Sequence, residues 1–200
     1  MYEAGLEAED TIERMGMGVA QHGAAHALAH LHFSQRFVSV GGGPEGSCEI
    51  EHPVWGPDAQ INARIAMVGP CVELAIDLAE DPSDALATVR NTLTTWLEDV
   101  TSSAHGYWDD LMKADQWISD ASPWALAFAY ANHALIDEAA VALIKAGGRL
   151  TFEAFAPQFE GRTADVDAIS WEAADHTFVG HSGPLELVEE AVAKIIAGEL

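Results

Sequence analysis

Apolar residues at helical spacing, broken by Asp-Pro, Ser-Pro and Gly-Pro pairs, are the feature that most restricts what this chain can become. Ile12, Met15, Val19, Ala27 and Leu31 recur on one helical face after a cap at Thr11, predicting a helix from Thr11 to about Phe33. A second helix is expected from about Asp58 to Ala79, kinked at Pro70, because a proline inside a helix removes one hydrogen bond and crowds the preceding turn. Asp81-Pro82 reads as an N-cap followed by a first-turn proline, opening a helix to about Glu98. Ser122-Pro123 repeats the signal, and the longest apolar helix should run from there to Gly147-Gly148. A shorter helix is expected over Trp108 to Ile118, irregular structure from Pro157 to Gly183, and a last helix after Gly183-Pro184. Strands are scarce. Only Arg36 to Val40 and Ser47 to Glu51, flanking Gly41-Gly42-Gly43-Pro44, form a convincing pair. The expected class is mainly α with one short β-hairpin.

Charge narrows the partners. The chain has 200 residues, 32 of them Asp or Glu and nine Lys or Arg, for a formal charge of -23. Residues 1–100 hold 16 acidic and four basic residues (-12), and residues 101–200 hold 16 and five (-11), so there is no acidic tail. Such a surface repels phosphate backbones and anionic lipid, which argues against direct nucleic-acid or membrane-surface binding and leaves a protein partner. Solubility or an acidic proteome explains the charge better than a dedicated nucleic-acid mimic or acidic inhibitor does. Cys48 and Cys71 are the only cysteines, too few for a disulfide framework and too isolated for a thiolate zinc site. With no basic-then-apolar leader at Met1 to Asp10 and no run of ~18 uncharged apolar residues, a cytoplasmic location is expected.

The segment Val19-Ala20-Gln21-His22-Gly23-Ala24-Ala25-His26-Ala27-Leu28-Ala29 places two histidines four apart. On a helix that separation is about 40° and about 6 Å, so both imidazoles can face one ion. The same spacing also serves plain core or surface histidines. Gly23, Ala24, Ala25, Ala27 and Ala29 suit close packing whichever reading holds.

In chain order, this segment and several stretches downstream of it resemble FtsH-type zinc metallopeptidases. Val19 to Leu28, then Phe37-Val38-Ser39-Val40 and a glycine turn, is similar to that family's H-E-A-G-H-A region and the strand after it. Arg64 to Leu74 looks like its second helix, with an A-G-x-x-A-E-E type sequence, and Pro82 to Thr88 is similar to its S-x-D-x-x-x-A-T segment. Ala131 to Thr151 resembles the late helix and its terminal L-L-x-x-x-x-L-T. The resemblance covers about residues 15–155, and the C-terminal residues have no counterpart. Residues 1–155 are therefore expected to form one peptidase-like helical domain, with residues 156–200 as an irregular segment and C-terminal helix packed on it.

The resemblance implies Zn2+ held by His22, His26 and Asp84, with an open fourth position. Asp84 can also serve the first turn of its own helix, a compatible role. Glu73 matches a residue that orients a ligand histidine, although a solvated helix face explains it equally well. Gly23 departs from the pattern: it stands where the family has its catalytic glutamate. Peptide hydrolysis needs a carboxylate to take the proton of the metal-bound water and pass it on, and glycine has none. No spacing selects Glu51 or Glu73 as a substitute. The 200 residues also lack G-x-x-x-x-G-K-[ST], so they are not expected to include the family's ATPase module. These features predict a pseudo-peptidase that binds zinc and a polypeptide partner, with an active but atypical zinc metallopeptidase and an acidic inhibitor or nucleic-acid mimic as the alternatives.

Overall fold

Nine successive residues, Gly23 to Leu31, are buried in helix α1 (Met17–His32), more than two full turns, so the helix is enclosed on every side rather than along one stripe. Small side chains permit this. Ala20, Ala24, Ala25, Ala27 and Ala29 are fully buried around Leu28, and methyl groups let neighbouring backbone come close. A computed structural model describes residues 16–42, 48–51, 53–54, 56–80, 115–166, 192–195 and 197–199, and they divide between two compact units.

The first unit draws on Met1–Pro57 and Ala134–Thr163. After α1 the chain turns at Ser34, whose φ of 54° lies in the left-handed region. There Ser34 N–H donates to Leu31 O at 2.9 Å and Gln35 N–H to His30 O at 2.8 Å, the paired bonds that close a helix in a Schellman turn. Strands β1 (Ser39–Gly42) and β2 (Cys48–Glu51) follow as an antiparallel hairpin, with Val40 opposite Ile50 and Ser39 opposite Glu51.

Helix α4 (His133–Lys145) ends in the same kind of turn, with Gly147 at φ 78° and Gly148 N–H donating to Leu143 O at 2.9 Å. This turn sends the chain into β3 (Arg149–Thr151), which pairs antiparallel with β1 and makes the sheet order β2-β1-β3. Helix α5 (Phe152–Phe159) comes directly after. Successive residues of a strand point to opposite faces, so Val40 and Ile50 are buried while Arg149 and Thr151 are exposed. Gly41 sits where β1 meets β3: a Cβ there would run into the carbonyl oxygen of Gly148 and lie 2.9 Å from Arg149 Cα, so no larger residue fits this approach.

The second unit draws on Asp58–His133 and Ala164–Leu200. Its helix α2 (Ala59–Glu80) packs on α3 (Asp115–Ala131), burying Ile65, Met67, Leu78, Trp124, Leu126 and Phe128. Asp58 caps α2 by accepting the amides of Gln60 at 2.9 Å and Ile61 at 3.2 Å, satisfying donors that have no partner within the helix.

The chain is mainly α with a small antiparallel sheet, as the periodicity predicts. Among the described residues no helix is long and apolar enough to cross a membrane. Three expectations about elements are corrected. Ser122-Pro123 does not start a helix: α3 is already under way at Asp115 and passes through Pro123. The expected single helix to Gly147-Gly148 breaks instead at Asn132, whose side chain donates to Phe128 O at 2.8 Å and accepts from Ala164 N–H at 2.8 Å. Pro157 does not open irregular structure: it sits inside α5, which continues to Phe159. Helix α2 also continues past Pro70. The cap expected at Thr11, the helix expected over residues 81–98 and the part before Asp115 of the helix expected over Trp108 to Ile118 lie outside the described residues, while Asp115 to Ile118 belong to α3.

Candidate metal centre

His22 and His26 project from adjacent turns of α1, and their Nε2 atoms stand 3.2 Å apart with the rings at 67°. His26 is 2% exposed and His22 is half-buried, so the pair forms the inner and outer members of one row. Burial holds the His22 imidazole below the usual histidine range, which keeps it neutral near pH 7 and able to offer a ring lone pair. At 3.2 Å the two Nε2 atoms are within hydrogen-bonding distance, with the donor set by the tautomers of the two rings.

The spacing can be tested against a metal. Zinc–imidazole bonds are about 2.0–2.1 Å, and two nitrogens at that radius and 3.2 Å apart subtend about 100° at the ion, close to the ~109° of a tetrahedron. Two ligands therefore fit. Among the described residues no group of three or more His, Cys, Asp and Glu comes together, so they hold no complete set of metal ligands. Asp84 lies outside the described residues, and Glu73 is exposed on α2 in the second unit. Gly23, beside His22, is buried and brings no acid or base to the pair.

The other described histidines have different surroundings. His30 continues the row one turn further, fully buried with its ring 5.8 Å from that of Phe37, and burial pushes its pKa down to about 3. His32 Nδ1 meets Thr163 Oγ1 at 3.1 Å, and His133 Nδ1 donates to Tyr130 O at 2.8 Å. Cys71 is buried in α2, and burial raises its thiol far above the usual range, leaving it protonated and unreactive.

One polar group belongs to no motif of the sequence. Ser39, 3% exposed, donates through Oγ to Glu51 Oε2 at 2.9 Å and accepts from Arg149 Nε at 2.9 Å, while the Arg149 guanidinium also pairs with Glu51. These three residues cross all three strands. The hairpin spacing could have suggested Ser39 beside Glu51, but Arg149 arrives on a strand 98 residues after Glu51, and nothing local announces it. Comparison of the chain with protein-family models, curated proteins and solved structures found no match.

Proposed function

We propose that this chain is a zinc-metallopeptidase-like pseudo-peptidase, holding Zn2+ at His22 and His26 and binding a polypeptide partner without cutting it. The observation that carries this reading is the convergence of the two Nε2 atoms at 3.2 Å, a separation suited to tetrahedral zinc. The resemblance supplies Asp84 as third ligand and Glu73 as the residue that orients a ligand histidine. Bound zinc would polarise a carbonyl and lower the pKa of a coordinated water. Gly23 offers no group to accept the proton of that water, so hydrolysis loses about two to four orders of magnitude in rate. Glu51, a candidate substitute, is already engaged by Ser39 and Arg149.

Elemental analysis and zinc titration of the purified chain test the proposal. About one zinc per chain is expected, lost in His26→Ala and weakened in Asp84→Ala, with unfolded protein and flexible peptides left intact in its presence. A metal-free chain that takes up no zinc at neutral pH removes the metal site. Robust zinc-dependent cleavage that disappears in His22→Ala makes the chain an enzyme with a different base and overturns the pseudo-peptidase reading.

A further inference from the structure

The two ends of α1 are secured unequally. Its last residue, His32, meets Thr163 Oγ1 at 3.1 Å, and the turn at Ser34 closes the helix behind it. The start is looser. Gly16 stands at the cap position with φ 67° and no side chain to accept a first-turn amide, Met17 and Gly18 are exposed, and the first turn holds no acidic residue. A glycine inside that turn and a start without a side-chain cap both favour fraying. His22 belongs to the next turn in from this end, whereas His26 is one turn deeper and almost fully buried.

A side-chain bond reaches this end from a distant part of the sequence. Gln21 Nε2 donates to Asp137 Oδ1 at 2.8 Å, joining residues 116 positions apart. Asp137 stands on the exposed side of α4, and that helix is anchored through buried Ile136, Ala139, Ala140, Leu143 and Ile144. Gln21 immediately precedes His22. The backbone that Asp137 holds at Gln21 is therefore the backbone that carries the His22 imidazole.

We infer that Asp137 is a positioning residue for the metal pair: through Gln21 it keeps the start of α1 wound, and so keeps His22 Nε2 where it can share an ion with His26 Nε2. The inference rests on the zinc reading proposed above and names a residue outside the ligand set that tunes its affinity. Groups that hold ligand residues in place set metal affinity without touching the ion. Neither Gln21 nor Asp137 belongs to the spacing that marks the histidines, and their meeting is a product of the packing of α1 beside α4.

Zinc affinity of the full chain, read by competition with a chromophoric chelator, and amide hydrogen exchange of the metal-free chain test this together. Asp137→Ala and Gln21→Ala should each weaken zinc binding by about three- to tenfold, the range that one hydrogen bond spans. The double variant should be no weaker than either single one. Exchange at the Gln21 and His22 amides should quicken in metal-free Asp137→Ala while exchange at Leu28 stays as in the parent. Asp137→Asn, which keeps a carbonyl oxygen for Gln21, should bind zinc like the parent chain. Glu138→Ala is the control: it breaks the pair with Arg162, at 2.6 and 2.9 Å, on the same helix and should leave zinc affinity unchanged. Parent-like zinc binding in Asp137→Ala, an equal loss in Glu138→Ala, or a loss in Asp137→Asn as large as in Asp137→Ala overturns the inference and leaves the zinc reading standing. A parent chain that takes up no zinc overturns both.

Discussion

The two units of this protein bury different things. In the second, α2 and α3 meet through aliphatic and aromatic side chains, and Trp124 stacks on Phe128 with ring centroids 4.9 Å apart and planes at 19°. Its buried Asn132 has a structural account: both ends of its amide satisfy backbone groups at a helix break. In the first unit, α1 carries imidazoles on three successive turns, His22, His26 and His30, set among alanines. Burying an imidazole costs desolvation that a methyl or phenyl group does not incur. Packing therefore accounts for the second core but not for the histidine row of the first, and that difference supports α1 as the seat of the chemistry we propose.

Three substitutions test this contrast. The largest effect should come from Trp124→Ala, where loss of a buried indole costs about 3–5 kcal/mol of stability, read by chemical denaturation. If the Trp124 core only packs, the folded fraction of this variant should still bind zinc like the parent chain, even though Asp84, the proposed third ligand, belongs to the same unit. A lost zinc site in a folded Trp124→Ala variant would erase the division of labour.

His30→Leu addresses the other core. His30 has a folded pKa of about 3 against an ordinary 6.5, so between those limits the unfolded chain binds a proton that the folded chain refuses. The unfolded state then holds more protons, and stability falls as pH drops from about 6.5 toward 3, by up to roughly 1.4 kcal/mol per pH unit. Replacing His30 by Leu should remove that share of the acid slope, measured by denaturant titration from about pH 7 to about pH 4. A slope unchanged by the substitution would show that His30 accepts its proton in the folded protein.

The smallest effect concerns two matching helix ends. Ser34 and Gly147 both occupy left-handed backbone at the close of a helix, at φ 54° and 78°, but only glycine does so without a clash at Cβ. Ser34→Gly should stabilise the chain by about 0.5–1 kcal/mol, visible as a small rise in the denaturation midpoint. A loss instead would mean that the serine side chain offsets its own strain.

Much of the fold was legible in the chain. Helical periodicity identified α1 and α2, the glycine turn with its flanking β-branched residues identified the hairpin, and Gly147-Gly148 marked the end of α4, because spacing, capping and backbone freedom are local properties. The two histidines were legible for the same reason: four residues on a helix bring side chains onto one face. Whether their nitrogens converge was not, since the 3.2 Å separation depends on rotamers set by the burial of α1 on every side. Only tertiary structure recruited β3 to the hairpin, tied Arg149 to Ser39 and Glu51, and moved the helix break from Ser122-Pro123 to Asn132. A proline can sit inside a helix whose packing outweighs one lost bond, and an asparagine ends one when distant backbone uses its amide. Those contacts join residues far apart in sequence, where local propensity carries no information.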